Sequence, residues 1–169
     1  VSIMVPIRLF DRLELALIPS GIRLSCHGFP VPKDETNLVF QAAKAFFSRI
    51  GLRQGVSIKL TKNIPVAAGL GGGSSDAALT LKGLNNACAK RLAPEDLRTL
   101  AVNLGADVPF FLQSKPCIAR GIGEILEPIE EWPEFWYVVV TPSIEVSTAW
   151  VYRNLKLQLT IDDYHFIIN

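Results

Sequence analysis

The sequence has few cysteines, almost no net charge and no long apolar run, and each shortage excludes a class of protein. Cys26, Cys88 and Cys117 are odd in number and widely spaced, a pattern that fits neither a disulfide framework nor a zinc site. Reduced thiols of this kind are typical of cytosolic proteins. The formal net charge is +1 without a dense cluster of Lys or Arg, so we expect no nucleic-acid partner. No apolar run reaches the ~18 residues of a membrane span, so we expect no membrane partner.

The remaining composition is that of a globular protein. Of 169 residues, 49% are hydrophobic and 20% are charged, which is close to the average of folded domains. The length suits one domain, or one domain with part of a second. Such a chain is long enough to bury a sizeable core.

Several segments are predicted as strands. Residues 13–17 and 22–26 alternate in polarity around a Pro-Ser-Gly turn, which predicts a hairpin with one buried face. Residues 56–60 also alternate, and a further strand is predicted near 117–119. Residues 136–141 are nearly all apolar, which predicts a central strand.

Helices are predicted from capping residues and apolar periodicity. The first is capped by Thr36 or Asn37 and ends before Gly51. The second is capped by Ser74 or Ser75 and runs to about residue 90. The third starts at residue 94, where Pro suits the first helical turn, and ends at residue 105, and a short helix is predicted around residue 148. Helices that alternate with strands indicate a mixed α and β class.

The most informative segment is residues 65–76, PVAAGLGGGSSD, between a predicted strand and a predicted helix. Glycine permits positive φ and close approach of a ligand, and a helix N-terminus presents free N–H groups and a positive dipole end to an anion. A Walker A loop requires a Lys after the glycines, and none follows here, so that motif is excluded. A dinucleotide-binding fingerprint is also excluded, because Ser74 stands where that motif has Gly or Ala. We therefore predict a nucleotide-phosphate loop of a third kind. The alternative is a flexible hinge.

The hydroxyls of Ser74 and Ser75 suit a phosphate oxygen or Mg²⁺. Either can instead be a helix N-cap. We expect one to be mainly a cap and the other to touch the ligand, and the sequence does not say which. Lys59 and Lys62 flank the loop, and a surface position is the default expectation for both, although Lys62 is close enough to reach a phosphate.

A second candidate site is residues 105–111, GADVPFF. Asp107 is a single acidic residue between apolar segments. It can be the N-cap of a short helix with Pro109 in its first turn, or a carboxylate in a nonpolar cleft poised as a general base. The local sequence leaves the two readings about even.

Residues 69–78 and 105–111 together resemble the motifs of the GHMP kinase superfamily, which includes galactokinase and the homoserine, mevalonate and phosphomevalonate kinases. Shorter matches at 36–39, 121–124, 128–129 and 146–148 support the resemblance, which spans nearly all of residues 8–152. It is closest to the branch that phosphorylates a CDP-linked methylerythritol in the non-mevalonate isoprenoid pathway.

The resemblance implies an α+β fold. Residues 1–140 would form the N-terminal ATP-binding domain, which is of the ribosomal protein S5 domain 2-like type, and residues 141–169 would begin a second α+β domain. The family's opening lysine, tyrosine and histidine motifs are not found in this sequence. Measured against the family pattern, the sequence is therefore expected to lack the N-terminal segment and most of the C-terminal domain.

The resemblance also implies an ATP-dependent enzyme that uses Mg²⁺ and a small-molecule substrate. It would work in the bacterial cytoplasm, or in the plastid stroma if the source is a plant. The resemblance does not indicate an oligomeric state. Two alternatives remain at this point: another small-molecule kinase of the superfamily, or an inactive remnant that binds a nucleotide or a partner.

Site residues follow from the resemblance position by position. Asp107 would deprotonate or orient the substrate hydroxyl, Thr148 would lie near the substrate, and Ser75 is the predicted metal ligand. Asn37 and Lys62 would lie near the adenosine end of the nucleotide. The remaining predicted nucleotide-binding residues are those of the glycine-rich run: Pro65, Val66, Ala67, Ala68, Gly69, Leu70, Gly71, Gly72, Gly73, Ser74 and Ser75.

Overall fold

The computed structural model describes residues 1–89, 91–141, 150, 153 and 154. Its strands are β1 (Ser2–Met4), β2 (Arg12–Ile18), β3 (Ile22–Gly28), β4 (Gly55–Lys62), β5 (Cys117–Arg120) and β6 (Ile125–Pro128). Its helices are α1 (Leu38–Ile50), α2 (Gly72–Ala87), α3 (Pro94–Leu104) and α4 (Val108–Gln113). The predicted mixed α and β class is confirmed. Strands β1 and β6 were not predicted.

The strands form two three-stranded sheets, in the orders β1-β5-β6 and β2-β4-β3. Strands β2 and β3 exist as predicted, but the predicted hairpin is wrong. Strand β4 lies between them, antiparallel to β2 and parallel to β3. The turn after β2 crosses the start of β4, where the Val56 amide donates to the Gly21 carbonyl oxygen at 3.0 Å. A strand from further along the chain has therefore replaced the local pairing.

Period-two alternation fixes which side chains of β4 face the helices. Val56, Ile58 and Leu60 are each at most 1% exposed, while the side chains between them point to the other face of the sheet. Helices α1 and α2 cover the buried face and pack on each other. The core contains, among others, Val39, Ala42, Phe46, Ile58, Leu60, Ala77, Leu81 and Leu84.

Helix α1 begins and ends as predicted. The Asn37 side chain accepts a hydrogen bond from the Val39 amide at 2.9 Å, which is an N-cap. Gly51 ends the helix with φ +68°, the left-handed conformation typical of a C-terminal glycine. Helix α3 also has the predicted bounds, with Pro94 in its first turn.

Two of the predicted elements differ from the structure. Helix α2 begins at Gly72, so both serines lie inside its first turn, and it ends at Ala87 rather than near residue 90. The central strand predicted at 136–141 is wrong. Trp136 is 101% exposed and Val138 is 91% exposed, and no described segment pairs with them, so an apolar run without a ladder partner does not form a strand. The predicted helix around Thr148 lies outside the described residues.

Candidate active site

A cleft of about 290 Å³ lies beside the glycine-rich segment, between β4 and the start of α1 and α2. Most of the predicted nucleotide-binding residues line it. They are Asn37, Lys62, Pro65, Val66, Ala67, Ala68, Gly69, Leu70, Gly71, Gly72, Gly73 and Ser74. Ser75 is not among the lining residues. The structure thus brings residues 37 and 62 to the same cleft as the glycine-rich run.

The N-terminus of α2 opens on this cleft. Gly71 is the N-cap, and the first intrahelical bond runs from the Ser75 amide to the Gly71 carbonyl oxygen at 2.8 Å. Helix geometry leaves the amides of Gly72, Gly73 and Ser74 without an acceptor in the helix. With the helix dipole, three such amides form a ready anion site.

Gly71 is required at its position for two reasons. Its φ is +65°, which is strained for other residues. A Cβ atom there would lie 2.6 Å from a ring carbon of Phe111, far inside van der Waals contact. The absence of a side chain therefore lets the glycine-rich segment rest against α4.

Asp107 lies at the start of α4, next to this contact. Asp107 occupies the N-cap position of α4, with Pro109 in the first turn as predicted, but its side chain makes no capping hydrogen bond. Its carboxylate instead accepts a hydrogen bond from the Ser74 hydroxyl at 2.8 Å. Helices α2 and α4 thus bring a carboxylate within one hydrogen bond of a helix N-terminus, although 33 residues separate the two in sequence.

The other serine has a local partner. The Ser75 hydroxyl donates to the Gly72 carbonyl oxygen at 2.8 Å, within the first turn of α2. Neither hydroxyl caps the helix, so the expectation that one of the two would be an N-cap is wrong. Ser74 is the serine that faces the cleft.

The default expectation of a surface position is wrong for Lys62. It is 4% exposed, and its ammonium forms ion pairs with Asp11 and, at 2.9 Å, with Asp76. The side chains of Asp11 and Asp76 are 3% and 5% exposed. Burial raises the pKa of Asp76 to about 7, although the hydrogen bond and the charge of Lys62 oppose the shift. The negative charge of Asp11 and a side-chain hydrogen bond with Asp11 raise the pKa of Asp76 further.

Sequence reasoning missed Asp11 and Asp76 as parts of the site. A signal was available for Lys62 and Asp11: Lys62 is in phase with Leu60, and Asp11 is in phase with Leu13, so alternation places both on the buried face. Asp76 lies at the start of the second turn of α2, next to buried alanines. Nothing in its local sequence indicates an ion pair with β4.

The predicted substrate residue Thr148 lies outside the described residues. In the described part of the chain, no group of three His, Cys, Asp or Glu side chains is placed to hold a metal ion. None of the described helices is long and apolar enough to cross a membrane.

Comparison with known proteins agrees with this geometry. Residues 37–115 match the family of GHMP kinases N-terminal domains. One solved structure of a 4-(cytidine 5'-diphospho)-2C-methyl-D-erythritol kinase superposes with a TM-score of 0.77 at 38% identity, over 91% of this chain and 54% of that one. The homoserine kinase of Cytophaga hutchinsonii superposes with a TM-score of 0.66 at 21% identity over 92% of this chain and 54% of that one, which shows the fold alone. The fold is therefore that of a GHMP kinase N-terminal domain.

Curated relatives indicate the branch of the superfamily. The chain is 49% identical to the 4-diphosphocytidyl-2-C-methyl-D-erythritol kinase of Syntrophotalea carbinolica, over 93% of this chain and 56% of the relative. It is 49% identical to the kinase of the same name from Geobacter metallireducens, over 92% of this chain and 56% of the relative. The Syntrophus aciditrophicus kinase is 45% identical over 99% of this chain and 60% of the relative. The chain thus spans little more than half the length of these relatives.

Proposed function

We propose that this chain is the ATP-binding part of a kinase that transfers the γ-phosphate of ATP to the 2-hydroxyl of 4-diphosphocytidyl-2-C-methyl-D-erythritol. The reaction belongs to non-mevalonate isoprenoid biosynthesis. The observation that carries the proposal is the 2.8 Å hydrogen bond between Ser74 and Asp107. It joins an anion-binding helix N-terminus to a carboxylate suited to accept a proton. The names of the relatives supply the substrate.

The fit of a nucleotide rests on the start of α2. Gly72, Gly73 and Ser74 line the cleft. Their amides have no acceptor within the helix. Phosphate oxygens are the acceptors that such amides bind. The Ser74 hydroxyl lines the same cleft and can turn from Asp107 to a phosphate, because a hydroxyl rotates freely.

Ser75 is our proposed protein ligand for Mg²⁺. Its hydroxyl donates its proton to the Gly72 carbonyl oxygen, which leaves the lone pairs of the oxygen free for a hard cation. The support for this proposal is the chemistry of the hydroxyl oxygen and its place in the first turn of α2, directly after the cleft-lining Ser74. When bound, Mg²⁺ neutralises part of the phosphate charge.

Asp107 is the proposed general base. It would accept the proton of the substrate hydroxyl while that oxygen bonds to the γ-phosphorus and ADP leaves with the electrons of the broken P–O bond. The Ser74 hydroxyl donates a hydrogen bond to this carboxylate at 2.8 Å and so orients it beside the start of α2. Positioning and charge stabilisation do most of the work in such reactions.

Other predicted roles stay proposals. Asn37 lines the cleft, and we place it at the adenosine end of the nucleotide with the aliphatic part of Lys62. Thr148 would contact the substrate. A bacterial cytoplasmic location fits an ATP-dependent enzyme whose named relatives come from bacteria.

The test is a chimera, because the chain spans about half the length of its relatives. The 169 residues replace the matching part of the S. carbinolica kinase, and phosphorylation of the CDP-linked substrate is followed. Asp107→Asn should lower kcat by roughly 10²- to 10⁴-fold while Mg-ATP still binds. The matched control is Asp96→Asn, an exposed carboxylate of α3 that pairs with Arg49, and it should leave kcat unchanged.

Two results would contradict the proposal. Near-normal turnover of Asp107→Asn would remove Asp107 from the role of base. Phosphorylation of another alcohol in a substrate panel, with none of the CDP-linked compound, would keep the kinase class and change the substrate.

A further inference from the structure

The carboxylate of Asp11 lies where β4 leads into the glycine-rich segment. It accepts hydrogen bonds from the Asn63 amide at 2.6 Å and the Ile64 amide at 2.9 Å, and it pairs with the Lys62 ammonium. Asn63 also donates through its side chain to the Phe10 carbonyl oxygen at 3.0 Å. The residues just before β2 thus fix the exit of the chain from β4.

The ammonium of Lys62 extends this connection to α2. It donates to Asp76 at 2.9 Å, and a Cβ atom on Gly72 would lie 3.0 Å from its nitrogen. The first residue of α2 therefore rests on the ammonium, and a side chain there would require the neighbouring atoms to shift by a few tenths of an ångström. Asp11, Lys62 and Asp76, here named the ion cluster, join β2, β4 and α2 at the phosphate site.

Removing the Lys62 charge from the ion cluster would leave two buried carboxylates without a counter-charge. Each of the cluster's three side chains is at most 5% exposed, and a charge left buried without its partner is strongly destabilising. With two carboxylates around one ammonium, Lys62 has no unused charge to offer a phosphate. These facts favour a role in fixing backbone position over a role in binding the ligand.

We propose that Asp11, Lys62 and Asp76 are positioning residues, which hold residues 63–72 so that the amides at the start of α2 point at the phosphates. The Lys62 ammonium itself does not bind the nucleotide. This inference rests on the proposed function, because it assigns the part of the chain that keeps the phosphate site in shape. A misplacement of about 1 Å at such a site is enough for a large loss of function.

Asp11 provides the decisive variant because it does not line the cleft. Asp11→Asn keeps the shape of the side chain and an oxygen for the Asn63 and Ile64 amides, but it puts an amide nitrogen or a neutral oxygen against the ammonium. If Lys62 bound phosphate directly, the loss of a nearby negative charge would leave Mg-ATP affinity unchanged or higher. Positioning predicts the opposite sign: a Kd about tenfold higher.

Glu14→Gln is the matched control. Glu14 is also a carboxylate of β2 paired with a lysine of β4, Lys59, but their side chains are 46% and 51% exposed. The same change from carboxylate to amide should leave the Kd for Mg-ATP unchanged. A higher Kd in both variants would assign the effect to net charge or to the sheet in general, and would overturn the proposal.

Amide hydrogen exchange of the chain without nucleotide gives a second readout. Asp11→Asn should speed exchange at residues 63–75 and leave α1 as protected as in the unchanged chain. Equal protection at 63–75, or faster exchange everywhere alike, would overturn the proposal. Because this readout needs no ligand, it also separates the two claims: a chain that fails to bind Mg-ATP contradicts the phosphate site, and exchange at 63–75 still decides the positioning role.

Discussion

Lys59 and Lys62 of β4 each form an ion pair with the β2 region, one pair exposed to solvent and the other buried. Lys59 pairs with Glu14 at 3.5 Å, on the open face of the sheet, where both side chains are about half exposed. Lys62 pairs with Asp11 and Asp76 on the covered face, where all three side chains are at most 5% exposed. Three positions along β4 are enough to change the face, because side chains alternate.

The comparison shows that the location of a lysine decides its role more than its charge does. An exposed pair in water contributes about 0–1 kcal/mol. A buried pair carries a desolvation penalty that nearly offsets its attraction, so it adds little net stability, but removing one partner is strongly destabilising. We therefore expect the exposed pair to be dispensable and the ion cluster to specify one arrangement of the loop.

The largest effect should come from removing each lysine in turn. Lys62→Met leaves two buried carboxylates without a counter-charge and should lower the free energy of unfolding by about 3–5 kcal/mol. Lys59→Met, the same change on the open face, should lower it by about 0–1 kcal/mol. Urea unfolding of the two variants measures the difference. Equal losses of unfolding free energy in the two variants would contradict the claim that burial makes Lys62 more important than Lys59.

A smaller effect should appear with pH. The pKa of Asp76 is about 7 in the folded chain, against roughly 4 for an unfolded Asp. The folded state therefore holds a proton that the unfolded state has lost, so stability should fall as pH rises from about 4 to 7, by at most ~1.4 kcal/mol per pH unit. When Asp76 is protonated, the ion cluster has no net charge, because the single charges of Asp11 and Lys62 cancel.

Asp76→Asn should remove this contribution. The difference in unfolding free energy between Asp76→Asn and the unchanged chain should grow in favour of the variant from pH 4 to 7 and level off above. Glu14→Gln, on the open face, should show no such trend. A flat Asp76→Asn difference would mean that Asp76 is ionised throughout this range.

The sequence predicted local features well. Alternation located β2, β3 and β4, and capping residues gave both ends of α1 and α3, because these signals depend on neighbours in the chain. The sequence singled out Asp107 as a candidate, and the structure places it within a hydrogen bond of Ser74. Its role as base stays a prediction.

Non-local contacts explain most of the failures. The insertion of β4 between β2 and β3 depends on the whole sheet. Residues 136–141 pair with no strand in the described part of the chain, and composition alone does not reveal whether a strand has a partner. One of the two serines of α2 was expected to be an N-cap, but neither is, and Ser74 has its partner in Asp107 at the start of another helix. For Lys62 the failure was of another kind, because the alternation that placed Leu60 in the core applied to Lys62 as well.

The central claim is that the start of α2 binds the phosphates of ATP, and a titration with Mg-ATP tests it most directly. Gly73 is exposed, and a Cβ atom there would meet only Leu38, at 3.5 Å. Gly73→Glu therefore fits the fold, and its carboxylate suits the helix N-terminus but repels phosphate. Calorimetry should show saturable binding to the unchanged chain, weaker binding to Gly73→Gln and none to Gly73→Glu. Equal binding to all three chains, or none to the unchanged chain, would contradict the assignment.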